Sequence, residues 1–344
     1  MVALVCAGIA TVSCSSGSSS IGSSGASNAT EGPTSVVRQP YPEFLDRETK
    51  VALAYRDRLR PLDPCGFLDE TAVEDIGTPG YFGADGEFAR CSAAYRTPMG
   101  AKRITKIDVA MIPGNATWRS GPPVMFGETP VRVRDSGDFC SASLSFDDKI
   151  VLNFTVATKG DLMERGPKVD LCPEATSIAA ASIPHLTERP LRAKSKHANV
   201  NTKLAKLDPC AVVDVIGKDH PNPWVNSLPT PWSCQMLLDY GVNSTTRHID
   251  FSYVSDAAIT RSPGSEEIAS RIAGLPSLEE PGGRGTRWAD GCQIHVGTDP
   301  HWAPVKGVHN RKTEVISVGV EAGGCDAARA TAAEVVRLYQ QLPD

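Results

Sequence analysis

Four side chains late in the chain, His295, Asp299, His301 and His309, form the one cluster whose types suit metal chemistry. Imidazole and carboxylate together bind zinc or copper, and such an ion would activate water for hydrolysis. His295 falls on an expected strand, Asp299 and His301 follow in a loop, and His309 precedes the next strand. Loop spacing permits these groups to converge but does not require it. The preferred reading is therefore surface polar residues of one long loop, with no metal assigned. The first half of the chain has no equivalent histidines. A second set is aromatic: Trp224, Trp232, Trp288 and Trp302. Exposed tryptophans mark binding surfaces; packing in the core or under loops is the favoured alternative. Asp135, Asp138, Asp147 and Asp148 match no calcium-loop spacing and read as turn residues. No G-x-S-x-G elbow, phosphate-binding loop, H-E-x-x-H helix or dinucleotide fingerprint occurs. No catalytic residue and no cofactor is therefore assigned.

The elements that would position these groups come in duplicate. Eight of the ten cysteines form two sets, Cys65, Cys91, Cys140, Cys172 and Cys210, Cys234, Cys292, Cys325, with gaps of 26, 49, 32 and 24, 58, 33. LDPC ends at Cys65 and again at Cys210. Such self-similarity is an internal duplication. Structural zinc sites use close cysteine pairs, and none of the eight has a near neighbour, so disulfides are expected. Four cysteines allow three pairings, and spacing alone does not choose. The hairpin headed by Cys140 returns beside its own start before the chain reaches Cys172. This argument favours Cys65–Cys91 with Cys140–Cys172, and by analogy Cys210–Cys234 with Cys292–Cys325, and leaves the other pairings open.

At 344 residues the chain has room for two cores. A net charge of -5 with no basic cluster argues against nucleic acid as a partner. Arg192, Lys194 and Lys196, the densest basic run, read as a solvated linker between the halves. Residues 1–14, MVALVCAGIATVSC, are apolar, uncharged and too short to span a bilayer. They read as a secretory signal lacking its basic start, so a start codon upstream is expected. Thr11-Val12-Ser13-Cys14 before a Ser/Gly run resembles a bacterial lipobox, with Cys14 acylated and the membrane as a partner. Two or more acyl chains give stable anchoring. Residues 15–40 are a Ser/Gly tether with a reach on the order of 25–30 Å. Asn28, Asn115, Asn153 and Asn243 begin N-x-S/T triplets, read as chance matches in an acylated bacterial protein.

Each half, 41–188 and 189–344, repeats one order of elements. A proline after Asp63 or Asp208 opens a short helix, GFLDETAVEDIG or AVVDVIG, with Phe67, Leu68, Val73 and Ile76 inward and Gly77 or Gly217 at its end. The second cysteine lies on a strand, ARCSAAYRT or PWSCQMLLDY, and a longer alternating strand follows it, RITKIDVAMI or TRHIDFSYV. The third cysteine heads a hairpin, and the fourth opens the last helix. The expected fold class is α+β: two tandem copies of a domain whose antiparallel sheet is covered on one face by an N-terminal and a C-terminal helix, with two disulfides each.

The ordered set of a tethered lipobox, DPC opening a helix, Trp232–Cys234, Gly291–Cys292 and Cys325-Asp326-Ala327-Ala328 with Leu342-Pro343 resembles a family of actinobacterial secreted lipoproteins of unassigned function. The first copy matches more loosely, with Pro173 after Cys172 and His185-Leu186 at the helix end. The resemblance covers residues 60–186 and 205–343, and it implies fold and location but no activity. The expectation is a lipid-anchored protein on the outer face of the cell membrane, serving as a non-catalytic binding or interaction module for an envelope protein or small ligand. The alternatives are a secreted metal-assisted hydrolase using His295, His301 and His309, and a structural or accessory subunit of an envelope transport or secretion system.

Overall fold

The computed structural model describes residues 41–114, 123–158, 169–220, 223–226, 230–239, 244–255, 259, 264, 267–282, 291–299, 312–321 and 323–343. Cys14, the tether, Trp288, Trp302, His301 and His309 lie outside these residues.

The first element, α1 (Arg47–Leu59), has no counterpart in the sequence reading. Asp46 caps it, its carboxylate accepting from the Thr49 amide at 2.7 Å. In each copy the Asp of LDPC then accepts from the cysteine amide two residues on. The distances are 2.8 Å for Asp63 to Cys65 and 3.0 Å for Asp208 to Cys210. In the first copy the expected single helix is two pieces, a 3-10 turn Cys65–Phe67 and α2 (Glu70–Glu74). Asp69 starts the second piece by accepting from the Ala72 amide at 2.8 Å. Phe67, Leu68 and Val73 are buried. The helix that follows Cys172 is also split, into α3 (Cys172–Ala181) and α4 (His185–Glu188), where Pro184 interrupts it. In the second copy a 3-10 turn, Pro209–Val212, leads into α5 (Val213–Ile216), and α6 (Gly324–Gln340) is the last helix.

The first copy contributes β1 (Tyr81–Asp85), β2 (Glu87–Met99), β3 (Ile104–Pro113), β4 (Pro123–Phe126), β5 (Thr129–Asp135), β6 (Phe139–Ser145) and β7 (Ile150–Thr158). The second contributes β8 (Trp224–Val225), β9 (Ser233–Leu238), β10 (Thr245–Ser255), β11 (Ile268–Ile272), β12 (Leu275–Pro281), β13 (Cys292–Asp299) and β14 (Lys312–Val320). All pairings among them are antiparallel, and the spatial orders are the same: β1-β2-β3-β7-β6-β5-β4 and β8-β9-β10-β14-β13-β12-β11. The duplication thus extends to topology.

Four disulfides join Cys65 to Cys91, Cys140 to Cys172, Cys210 to Cys234 and Cys292 to Cys325. In each copy one bond ties the opening turn to the second strand, and the other ties the sixth strand to the last cysteine helix. α3 contacts β5, β6 and β7, and α6 contacts β11 to β14. Among the described residues no helix is long and apolar enough to cross a membrane.

The two seven-stranded sheets join through one pair, Ser252 opposite Glu87, where the Tyr253 amide donates to the Gly86 carbonyl at 2.7 Å. Phe88 fills this seam. Its ring stacks on Tyr253 at 4.3 Å and lies 6.2 Å from Phe251 and 6.3 Å from Trp232. Arg192 closes the seam, which corrects its reading as solvated linker. Its side chain is buried, stacks on Trp232 at 4.2 Å, and donates to the carbonyls of Val200 (2.6 Å) and Phe88. A basic run looks soluble in sequence, but a guanidinium that finds two carbonyls and an indole face tolerates burial. Lys194 and Lys196 stay exposed.

The segment carrying Arg192 acts as a strap on the first copy. The Asp63 amide donates to Pro190 at 2.8 Å, that of Arg192 to Pro61 at 2.8 Å, and that of Ala84 to Ala198 at 3.0 Å. A Cβ at Gly83 would lie 2.3 Å from the Ala198 carbonyl oxygen, so only glycine lets the strap approach. α1 also reaches across: Arg60 lies 3.1 Å from Asp208, and Arg56 donates to Cys210 Sγ at 2.9 Å. The described residues from 41 to 343 form one compact unit.

Candidate functional site

Strand alternation divides the side chains of each sheet between two faces. Cys140, Ala142 and Leu144 share the face that bonds to α3 through Cys172, as Cys292, Ile294 and Val296 share the face that bonds to α6. The opposite face carries rows of polar side chains in both copies, interrupted in the second by buried Leu278 and Val315. In the first, one row across neighbouring strands is Ser92, Asp108, Thr155, Ser141 and Arg134. A second is Ala110, Asn153, Ser143 and Arg132. Register places Gln235, His248, Gly319, Gln293 and Glu280 in the matching row of the second copy. The other matching row is Asp250, Ser317, His295 and Leu278.

The rows of the first copy are tied into a network. Ser143 Oγ donates to Asn153 Oδ1 at 2.9 Å, and Asn153 Nδ2 donates to Thr155 Oγ1 at 3.1 Å. Ser92 donates to Asp108, whose carboxylate is 3.0 Å from Lys106 Nζ. Ser92, Ser143 and Asn153 are buried by their neighbours, and each is hydrogen-bonded, as buried polar groups must be.

In the second copy the row centres on His295, the one described member of the proposed metal cluster with a placed side chain. Its Nδ1 is 2.8 Å from Ser317 Oγ, and its Nε2 is 3.8 Å from Glu280 Oε1. Burial lowers the pKa of His295, opposed by the carboxylates of Glu280 and Glu267, so the neutral imidazole is favoured. Asp299 continues the same strand, and the structure describes only its backbone. Hydroxyl, imidazole and carboxylate in sequence suggest a nucleophile with a base. Ser317 lies in the middle of β14 with paired strands on both sides, however, and is 7% exposed. The amides around it belong to ladders, so this arrangement offers no backbone oxyanion donors.

Sequence reasoning missed Glu280 and Ser317 because they sit on strands distant in the chain from His295. The β11–β12 hairpin also went unread, since its short strands carry Pro276, Pro281 and two glutamates. Trp232, a candidate for a binding surface, packs in the seam at 4% exposure. Trp224 is half-buried on β8. Asp135 and Asp147 cap turns, accepting from the Gly137 and Lys149 amides at 2.8 Å each.

Two other groupings are already engaged. Glu279, Cys292 and Cys325 come within metal-binding distance of one another, but the two sulfurs form a disulfide. Arg329 holds the Glu279 carboxylate with two bonds, 2.8 and 2.6 Å. A groove of about 260 Å³ between α2 and α3 is rimmed by Asp69, Asp75 and Glu174. There Asp69 serves as a helix cap, and Glu174 pairs with Lys102 at 2.6 Å. The chain matches no protein-family model, no curated protein and no solved structure.

Proposed function

We propose that this protein is a membrane-tethered, non-catalytic binding module of the cell envelope, anchored through acylated Cys14 and engaging a polar ligand or protein partner with the outer sheet faces of its two copies. Four disulfides support an oxidising, exported setting. The observation that carries the binding reading is the pair of equivalent polar faces. They keep the same backbone, yet differ in charge where Arg134 of the first corresponds to Glu280 of the second. Helices that shield one face of each sheet leave the other to partners, and complementary charge supplies specificity there.

The test is crosslinking on intact cells with the full chain, followed by capture and membrane fractionation. Recovery of the partner should fall by about tenfold or more when Arg134→Glu and Glu280→Arg are combined. The Cys14→Ser protein should leave the membrane fraction. Undiminished recovery removes the faces from the reading, retention of Cys14→Ser at the membrane removes the anchor, and turnover of a wall or lipid substrate removes the non-catalytic assignment.

A further inference from the structure

We infer that His295 and Glu280 form a two-donor site for a late first-row divalent ion such as zinc, on the outer sheet face of the second copy. Three strands build it. His295 projects from β13, Glu280 from β12 and Ser317 from β14, and Ser317 is the register partner of His295. The Ser317 hydroxyl lies 2.8 Å from Nδ1. With Nδ1–H donated to that oxygen, the lone pair of the ring is on Nε2. Metal-binding histidines are commonly held this way, with the second ring nitrogen donating to a fixed oxygen that sets tautomer and orientation.

The Nε2 lone pair then faces the Glu280 carboxylate across 3.8 Å. That gap is too long for a hydrogen bond. The neutral ring can also accept from the Ser317 hydroxyl and turn Nε2–H towards the carboxylate; a cation between the two groups selects the tautomer with its lone pair on Nε2. Bonds of about 2.0–2.2 Å to an imidazole nitrogen and a carboxylate oxygen bridge such a gap at a wide angle. Glu280 is 40% exposed on its side chain, which leaves it room to narrow that angle. Imidazole with carboxylate selects zinc or copper over calcium or magnesium, which prefer all-oxygen shells.

The other histidine–carboxylate pairs among the described residues are closer: His185 Nδ1 is 2.6 Å from Glu188, His220 Nδ1 2.8 Å from Asp239, His197 Nε2 3.1 Å from Glu70 and His248 Nε2 3.4 Å from Glu321. What sets His295 apart is the serine hydroxyl at Nδ1 opposite the carboxylate-facing Nε2. The first copy has Ser143 and Arg134 at the positions of His295 and Glu280, so the site belongs to the second copy alone. With two protein donors, the ion keeps positions for solvent or for an anionic group of a ligand. The site therefore deepens the binding reading and rests on it only for its purpose.

The experiment is calorimetric titration of Zn²⁺ into the full-length protein in detergent after removal of metal with chelator. The expected result is one ion per chain, with affinity lowered by about tenfold or more in His295→Ala and in Glu280→Gln, and by about tenfold in Ser317→Ala. His185→Gln should bind as the unmodified protein does. No binding to the unmodified protein, or unchanged affinity in Glu280→Gln, overturns the inference. Glu280 is a surface residue, so that variant keeps the test decisive if His295→Ala does not fold. Partner capture repeated in chelator separates the two readings. Charge-dependent capture that persists without zinc binding leaves the binding module standing and removes only the metal.

Discussion

The two copies share a skeleton and differ on one surface. Strand order, the Asp-capped cysteine turn and both disulfides recur. On the face away from the disulfide-linked helices, Ser143, Asn153 and Arg134 stand where the second copy has His295, Ser317 and Glu280. Core positions are held by packing, where every methylene counts. On the outer face Arg134 is exposed and Glu280 partly so, and charge can diverge at such positions at little cost to stability. The copies also differ in their surroundings: the strap of residues 190–198 bonds to the first copy.

The strongest way to break the comparison is to remove equivalent disulfides. Replacing both cysteines of Cys65–Cys91, or both of Cys210–Cys234, should each lower stability by about 3–4 kcal/mol. The closed loops span 26 and 24 residues, so the two losses should agree in denaturant titrations. Unequal losses would mean that the strap or α1 stabilises one copy independently.

Next in size is the seam. Phe88→Ala removes a fully buried ring that touches Phe251, Tyr253 and Trp232, for a loss of about 3–5 kcal/mol. With the copies uncoupled, thermal unfolding should resolve into two transitions by calorimetry where the unmodified protein shows one. A single transition in the variant would place the coupling in the strap instead.

A smaller effect concerns pH. His197 lies on the strap, stacked on Phe82 at 4.1 Å and 3.1 Å from Glu70. Burial lowers its pKa, outweighing the pull of Asp63 and Glu70. The folded protein therefore binds this proton less readily than the unfolded chain. Stability from the neutral ring is present above the ordinary histidine value of about 6.5 and is lost as pH falls below it. Melting temperatures measured between about pH 7.5 and 5 should fall less steeply for His197→Gln. An unchanged slope would show that the strap does not discriminate against the charged ring.

The smallest expected effect on stability is the sharpest on function. Arg134→Glu and Glu280→Arg should each shift stability by no more than about 0.5 kcal/mol, while their combination weakens partner capture. A large loss of stability on chemical denaturation would show that these side chains serve the fold.

Much of the skeleton was legible because cysteines and alternation leave marks in sequence. β3 and β10 were read from period-2 patterning, and the strands at Cys91, Cys140, Cys234 and Cys292 from the cysteine with its apolar neighbour or from a hairpin turn; β9 shows inside–outside alternation in burial. α1 was not read, since Arg56 and Tyr55 occupy its buried side and blur its apolar stripe. Nor were the β4–β5 and β11–β12 hairpins, whose strands are short and carry proline. At the candidate site His295 was legible as a chemical type. Its partners were not, because Glu280 and Ser317 reach it through strand register.

By itself the amino-acid sequence determined the duplication, the α+β class and the strands that flank the cysteines, because cysteine spacing and side-chain period are local properties of the chain. Tertiary structure alone decided that the two sheets meet at Glu87 and Ser252, that Arg192 is buried on Trp232, and that His295 faces Glu280. Each of these depends on antiparallel register between distant segments. Register is set by which faces bury together, and a shift of one residue would send every side chain to the other face.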